Sequence, residues 1–340
     1  MELDIKAVQK YFSMLIHGIP TKLESQEINL NNIAYFCING IAMTGGLETV
    51  ITEPLRTQLI DWIYSHQVQP PLYGGFRHSS CHWTPSHTVE ESHIAMTYSS
   101  LASLLLLGDD FSRVDTPRIL EMLKSLQLPN GSFLAHHLGS ESDLRFIFSA
   151  CAICRMLCTF GDLDMDKTIN YILGCQTYEG GFAWNQESGE AHGAATYCAI
   201  ASLSLLGALD RLQNKKLLAY WLSQRQQDGF NGRSHKLTDT CYSFWVGAPL
   251  KALGWFDDIV DKQRLISFIF SNYVHPGQFK PNNQGNADFI HTHFSLTGLS
   301  FCGFPGLEEV DPVFGFTKKY IPEKILNHIP SWKHSDEIAK

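Results

Sequence analysis

The chain has 340 residues, with 34 acidic against 26 basic side chains and a formal net charge of −8. An acidic balance argues against nucleic acid as the main partner. With 44% hydrophobic and 18% charged residues it reads as globular, and no apolar run reaches the roughly 20 residues that a membrane-spanning helix needs. The first residues, MELDIKAVQKYF, lack the basic-then-apolar pattern of a secretory leader. Nine cysteines, an odd number scattered through apolar stretches, suit a reducing compartment better than a disulfide scaffold. A cytoplasmic protein without stable membrane insertion is expected.

Glycine and phenylalanine punctuate the chain at Gly75-Phe76, Gly131-Ser132-Phe133, Gly181-Phe182, Gly229-Phe230 and Gly277-Gln278-Phe279. The phenylalanines lie 57, 49, 48 and 49 residues apart. Each is followed by a polar stretch and then by an apolar run that closes on Gly108, Gly161, Gly207, Gly254 or Gly303. Glycine is the expected helix stop there, because it takes the left-handed conformation without a steric penalty. A repeat of about fifty residues holds two helices and a turn. The apolar runs are too long for strands. The run from Ala194 to Leu206, AATYCAIASLSLL, is apolar nearly all round and must be buried on most sides.

Helical pairs of this kind either stack into an open solenoid or close into a ring with inner and outer helix layers. Runs this apolar favour an inner layer, since an open superhelix leaves one of their faces wet. The expected fold is therefore all-α: a closed α/α barrel occupying residues 1–330 as one domain, with a polar, mobile tail over 331–340. A helical scaffold that only binds a partner remains the bland alternative. The cysteines Cys151, Cys154 and Cys158 read as core packing on one helical face and not as a metal cluster, because no second pair accompanies them. Asp162, Asp164 and Asp166 mimic the start of a calcium loop. Lys167 stands where that loop needs glycine and Leu173 where it needs glutamate, so a capped helix start is expected.

Polar groups recur at one phase of the repeat, where each buried run begins. Counted from the phenylalanine of each unit, they are Arg145 at +12, His192 at +10, Asp239 at +9, Cys241 at +11 and His291 at +12. In a closed ring such positions converge on one end of the central cavity. Asp239, Cys241 and His291 offer carboxylate, thiolate and imidazole, a set that favours zinc and leaves a fourth position open. Each also has a dull reading: a helix cap, a packed cysteine, a satisfied buried histidine. His293, two residues from His291 and on a different helical face, is a rival ligand. Around these lie Arg233, Lys236 and Tyr242, with His192 from the preceding unit. Two cations, an imidazole and a phenol suit a diphosphate. The one DDxxD match, Asp257 to Asp261, follows the stop glycine Gly254, at the opposite end of the buried run from Asp239 and Cys241, so leaving-group charge at these ligands is expected to be met by side chains.

The motifs GRSHKLTDTCYSFWVG (232–247), EAHGAATYCAIASL (190–203), SDLRFIFSACAICRML (142–157) and DFIHTHFSLTGLS (288–300) resemble the β subunit of protein prenyltransferases, in order, from about residue 30 to 305. HIAMTYSSLASLLLLGDDFSRV (93–114) looks most like the geranylgeranyltransferase type I branch, with farnesyltransferase and the Rab-directed enzyme as the relatives to exclude. The resemblance implies zinc on Asp239, Cys241 and His291, which selects His291 over His293. It implies diphosphate binding by His192, Arg233, Lys236 and Tyr242. Trp245, Phe148, Arg145 and Tyr98 would line the isoprenoid pocket, and His93, Glu141 and Arg145 would help to hold the acceptor peptide.

By the same resemblance, Asn32 stands at the floor of the pocket, where farnesyltransferases carry a tryptophan that stops a shorter lipid and type I enzymes tend to have threonine, and its smaller side chain would leave room for another isoprene unit. Phe36, Ile290 and Phe294 would be neighbouring walls favouring a C-terminal leucine-like residue of the acceptor, a Cys-a-a-Leu preference. Lys280, in FKPNNQ, lies near the place of a magnesium-binding aspartate, so activity without magnesium is expected. The implied reaction joins geranylgeranyl, from its diphosphate, to the cysteine of CaaX-terminated proteins such as small GTPases. The thiolate would be held on zinc, in an obligate heterodimer with an α subunit.

Overall fold

In the computed structural model the described residues are 2–78 and 91–327, and the polar tail expected from residue 331 lies outside them. Helices dominate, and they alternate between two layers. The inner layer runs through Leu30–Met43, Ile94–Leu106, Leu144–Met156, Gly193–Leu205, the broken pair Tyr242–Trp245 and Gly247–Ala252, and Phe289–Phe301. Outer helices Ile5–His17, Glu53–Tyr64, Thr116–Leu126, Met165–Gly174, Lys215–Ser223 and Lys262–Ser271 precede each inner one in turn. Each inner helix packs on the next, and Phe289–Phe301 packs back on Leu30–Met43. The ring is closed, as the all-round apolar runs require.

Residue chemistry sorts the layers. All thirteen residues of Gly193–Leu205 are buried, whereas Thr116–Leu126 buries only Ile119, Met122, Leu123 and Leu126, at helical spacing. Phe76, Phe133, Phe182, Phe230 and Phe279 are each fully buried and pin the turn from outer to inner helix. Four of these turns share a one-residue bridge to a glutamine: Gln67 with Phe76, Gln127 with Phe133, Gln176 with Phe182 and Gln226 with Phe230. The fifth inner helix breaks at Val246 because Pro249 has no N–H to donate to the carbonyl of Trp245. The hairpin formed by Ile5–His17 and Leu30–Met43 completes a sixth unit that the glycine–phenylalanine punctuation does not mark.

The stop glycines behave as expected at Gly108, Gly207, Gly254 and Gly303, all left-handed, with φ between 66° and 80°. The third unit differs. Its inner helix ends at Met156, and Cys158 takes the left-handed turn at φ 55°, 50 residues after Gly108 and 49 before Gly207. This corrects the reading of Cys158 as core: Cys151 and Cys154 are buried, but Cys158 is exposed. The aspartate run does cap a helix, with Asp164 accepting from the Lys167 amide at 3.1 Å.

Two features of the ring position the site. Every inner helix runs the same way, so their N-termini and the positive ends of their dipoles meet at one rim. At the other end, the segment after Phe301 crosses the C-termini of the inner helices, where the Glu308 amide donates to the Met43 carbonyl. It then enters the ring as a short hairpin bridged between Val310 and Thr317.

Candidate metal centre and lipid cavity

The rim is built from residues that cap the inner helices. Asp143, Asp288, His93 and His192 are N-caps. The two histidines do what serine or aspartate usually does: Nδ1 of His93 accepts from the Ala95 amide, and Nδ1 of His192 from the Ala194 amide, both at 3.1 Å. With Nδ1 an acceptor, each neutral ring carries its proton on Nε2. Burial first, and then neighbouring positive charge, pull His93 down to about 3 and His192 down to about 4, so both are neutral at pH 7.

Asp239, Cys241 and His291 meet on this rim, their donor atoms all within 4.8 Å of one another. Cys241 opens the fifth inner helix, and the Asp239 carboxylate accepts its amide at 2.8 Å, which fixes the two ligand candidates relative to each other. His291 sits one residue inside the sixth helix's first turn. Asp288 holds it twice, accepting from its amide at 2.8 Å and from Nδ1 at 2.7 Å. That second bond turns Nε2 toward Asp239, 3.4 Å away, in the arrangement by which a carboxylate orients a metal-binding imidazole. His293 is not part of the cluster. It is buried, with Nε2 at 2.8 Å from the Asn39 amide nitrogen.

The electrostatics of the three donors fit a cation between them. Burial, then the Asp239 charge, raises the Cys241 thiol far above its ordinary range, so the cluster by itself opposes thiolate. Burial pulls His291 down, but its bonds to Asp239 and Asp288 outweigh that and lift it to about 9. A proton is thus drawn into a site whose donor set suits a dication. Oxygen, sulfur and nitrogen donors at this spacing match zinc, with a fourth position free.

Beside the cluster, Tyr242 places its hydroxyl 3.2 Å from Nε2 of His192. Because that nitrogen carries a proton, the tyrosine oxygen accepts, and its own hydrogen is free to point elsewhere. Burial, then the Cys241 and Asp239 charges, push the phenol up to about 12, which keeps it a donor. Arg233 is half-buried and pairs with Glu190 at 2.5 Å. Lys236 is exposed.

Within the ring, a cavity of about 680 Å³, counting its open mouth, is lined by aromatic rings. Tyr98, Phe148, Trp245, Phe36, Phe294, Asn32 and Arg145 all face it. Phe244, Tyr197 and Gly315 line it too and were not singled out from the sequence. Asn32 accepts from the Ser99 hydroxyl at 2.6 Å. The Arg145 guanidinium is held by Asp143, at 2.5 Å, and by Glu141, at 3.0 Å. Ile290, expected as a wall for the acceptor's terminal residue, is partly exposed and is not among the residues lining this cavity.

A family profile described as the prenyltransferase alpha-alpha toroid domain matches residues 3–316. This chain belongs to that family. Within the prenyltransferase toroids it is 36% identical over 330 residues to the geranylgeranyl transferase type-1 subunit beta of Arabidopsis thaliana, covering 90% of this chain and 86% of the relative. It is 33% identical over 341 residues to the subunit of the same name from Dictyostelium discoideum, covering 91% and 94%. Among solved structures, the Candida albicans protein geranylgeranyltransferase-I complexed with GGPP superposes with a TM-score of 0.85 at 23% identity, over 97% of this chain and all of that one. At that identity the superposition bears on the fold alone.

Proposed function

We propose that this chain is the catalytic β subunit of a protein geranylgeranyltransferase type I, joining the geranylgeranyl group of its diphosphate to the cysteine of Cys-a-a-Leu termini. The carrying observation is the juxtaposition of a three-donor metal site with an aromatic cavity under a rim of helix N-termini. Among the described residues no second cluster of three metal-ligating side chains accompanies it. The chain would act as one domain over residues 1–330, in the cytoplasm, paired with an α subunit. Among the described residues no helix is long and apolar enough to cross a membrane.

Asp239, Cys241 and His291 would hold zinc, which supplies the charge that keeps an acceptor cysteine ionised at neutral pH. The protein's own residues account for the other half of the reaction. The prenyl chain lies against Tyr98, Phe148, Trp245 and Phe294 in the cavity, which excludes water from the reacting carbon. The diphosphate lies over the helix N-termini, where backbone dipoles favour an anion. Arg233 exchanges Glu190 for phosphate oxygens, and the exposed Lys236 adds a second permanent charge. As the carbon–oxygen bond to diphosphate breaks, charge grows on the leaving oxygen. The relay from the Ala194 amide through His192 to Tyr242 aims the phenol hydrogen at that oxygen without needing to transfer it.

Lys280 lies next to the metal site: its carbonyl accepts from the Thr240 hydroxyl at 2.9 Å, between the two ligands Asp239 and Cys241. Its ammonium can supply the positive charge that magnesium supplies elsewhere, so no magnesium requirement is expected. The test is to co-express the chain with candidate α subunits and compare farnesyl with geranylgeranyl diphosphate on a Cys-a-a-Leu peptide, in chelator-treated buffer with zinc restored. Thioether formation with preference for geranylgeranyl is expected. A preference for farnesyl would reject the type I assignment, and a steep magnesium requirement would reject the role given to Lys280.

A further inference from the structure

The hairpin that enters the ring from its C-terminal end is held by an unusual density of buried hydroxyls. Tyr197 donates to the carbonyl of Val313 at 3.1 Å, Tyr98 to that of Phe314 at 2.5 Å and Tyr35 to that of Gly315 at 3.1 Å. Three inner helices thus send one phenol each to three successive carbonyls. Asn39 adds a fourth anchor: its side-chain nitrogen donates to the Gly315 carbonyl at 3.3 Å, and its oxygen accepts from the Thr317 amide at 3.0 Å and from the Thr317 hydroxyl at 2.9 Å. Asp311 shapes the turn by accepting from the Val313 and Phe314 amides at 2.9 and 2.8 Å. Backbone groups this deep need partners, and these residues supply them.

Only Gly315 of this hairpin faces the lipid cavity. Its φ of 78° is left-handed, and a Cβ built there would lie 3.2 Å from Cζ of Phe244 and 3.3 Å from the Tyr197 hydroxyl, both of them cavity walls. We propose that the Val310–Thr317 hairpin is the floor of the prenyl cavity and that Gly315 sets the longest chain admitted. The proposal rests on the reading of the cavity as the prenyl site. Depth is then fixed by two separate pieces of the fold: Asn32, in the first turn of Leu30–Met43 and not at the floor expected from the sequence, and a glycine on a floor that arrives from the far C-terminal side. The clamp explains why the floor stays put. A lipid tail pressing on Gly315 pushes on a backbone tied at four points.

The experiment uses the complete heterodimer and measures equilibrium binding of the fifteen-, twenty- and twenty-five-carbon prenyl diphosphates. Gly315→Asn adds a side chain that tolerates the left-handed backbone. It is expected to lower the affinity for the twenty-carbon donor, relative to the fifteen-carbon one, by about tenfold, the order of discrimination that one methylene-sized clash supplies. Gly303→Asn is the control for backbone strain, since Gly303 has φ 73° with nothing within 4 Å of its built Cβ, and it should leave the ratio unchanged. Tyr197→Phe keeps the ring but frees the Val313 carbonyl, and should raise affinity for the twenty-five-carbon donor relative to the twenty-carbon one. Should Gly315→Asn not accumulate, the Tyr197→Phe ratio decides alone. Binding with unmoved ratios overturns the floor assignment while leaving the functional reading intact. Failure of the unaltered heterodimer to bind any of the three lipids overturns both.

Discussion

The two ends of the ring use polar side chains in opposite ways. At the rim, Asp239, His291, Arg233 and Tyr242 are half-buried, and their strongest groups face an open mouth. At the floor, Asn39 and Thr317 are buried, and Asn39 accepts from both the amide and the hydroxyl of Thr317 within the protein. The difference teaches where function and stability reside. A rim group that lacks a full set of protein partners is available to a ligand, whereas a floor group that has one holds the fold in shape.

Cutting each region separately breaks or sharpens that contrast. At the rim, Cys241→Ala should abolish bound zinc, measured by metal analysis of the purified heterodimer, and lower turnover by about 10³-fold or more, since the metal is worth several kcal/mol of charge stabilisation. Its melting temperature should stay near that of the unaltered protein. Co-purification of one zinc per heterodimer with this variant would end the ligand assignment.

At the floor the effect should fall on stability. Asn39→Ala leaves the Thr317 amide and hydroxyl and Nε2 of His293 without partners, and should lower unfolding free energy in urea by about 3 kcal/mol. Zinc content should be unaffected. A loss of metal with no loss of stability would mean that the two ends are not separable in this way.

Smaller effects belong to the exposed part of the rim. Lys236→Ala and Arg233→Ala should each weaken binding of the prenyl diphosphate by about tenfold, read as a raised donor KM at nearly constant kcat, in keeping with about 1.5 kcal/mol for a charge-assisted hydrogen bond. Stability should move by less than about 0.5 kcal/mol, as for surface changes generally. A drop in kcat with unchanged KM would place these cations on the transition state alone.

The last contrast separates the histidine caps from the other caps. His93 and His192 titrate in the folded protein near 3 and 4, below the ordinary 6.5, because burial disfavours the charged ring. Between those values the unfolded chain binds more protons than the folded one, so their contribution is present above pH 6.5 and is lost as pH falls toward 4. Denaturation midpoints measured from pH 7 down to 4.5 should fall. The double variant His93→Asn, His192→Asn, which keeps a neutral cap acceptor, should show a shallower decline. An equal slope in both proteins would show that the caps do not titrate in this range.

Much of this was legible before any coordinates. The fifty-residue interval and the apolar runs favour paired helices closed into a ring, because an open solenoid would leave one face of a run such as 194–206 wet. The interval also explains how Asp239 and Cys241 meet His291: equivalent positions of neighbouring repeats are neighbours in space. The places of Tyr98, Phe148, Trp245, Phe36 and Phe294 in the cavity wall were implied by the family resemblance and not by the spacing. Asp288 was not singled out from the sequence, although its place three residues before His291 is the signal that a helix cap holding that ring would give.

What escaped the sequence has one physical character: it depends on contacts between segments with no periodic relation. The first hairpin lacks the punctuation that marks the others, and Cys158 ends a helix where glycine was expected, since a left-handed turn is a backbone conformation and not a residue type. Local pattern therefore determined the ring, the rim and the candidate metal ligands. Tertiary structure alone decided how deep the cavity runs. The DPVFGFT segment carries no apolar period of its own, and only its hydrogen bonds to Tyr35, Asn39, Tyr98 and Tyr197, residues 116 to 280 positions away in the chain, make it the floor.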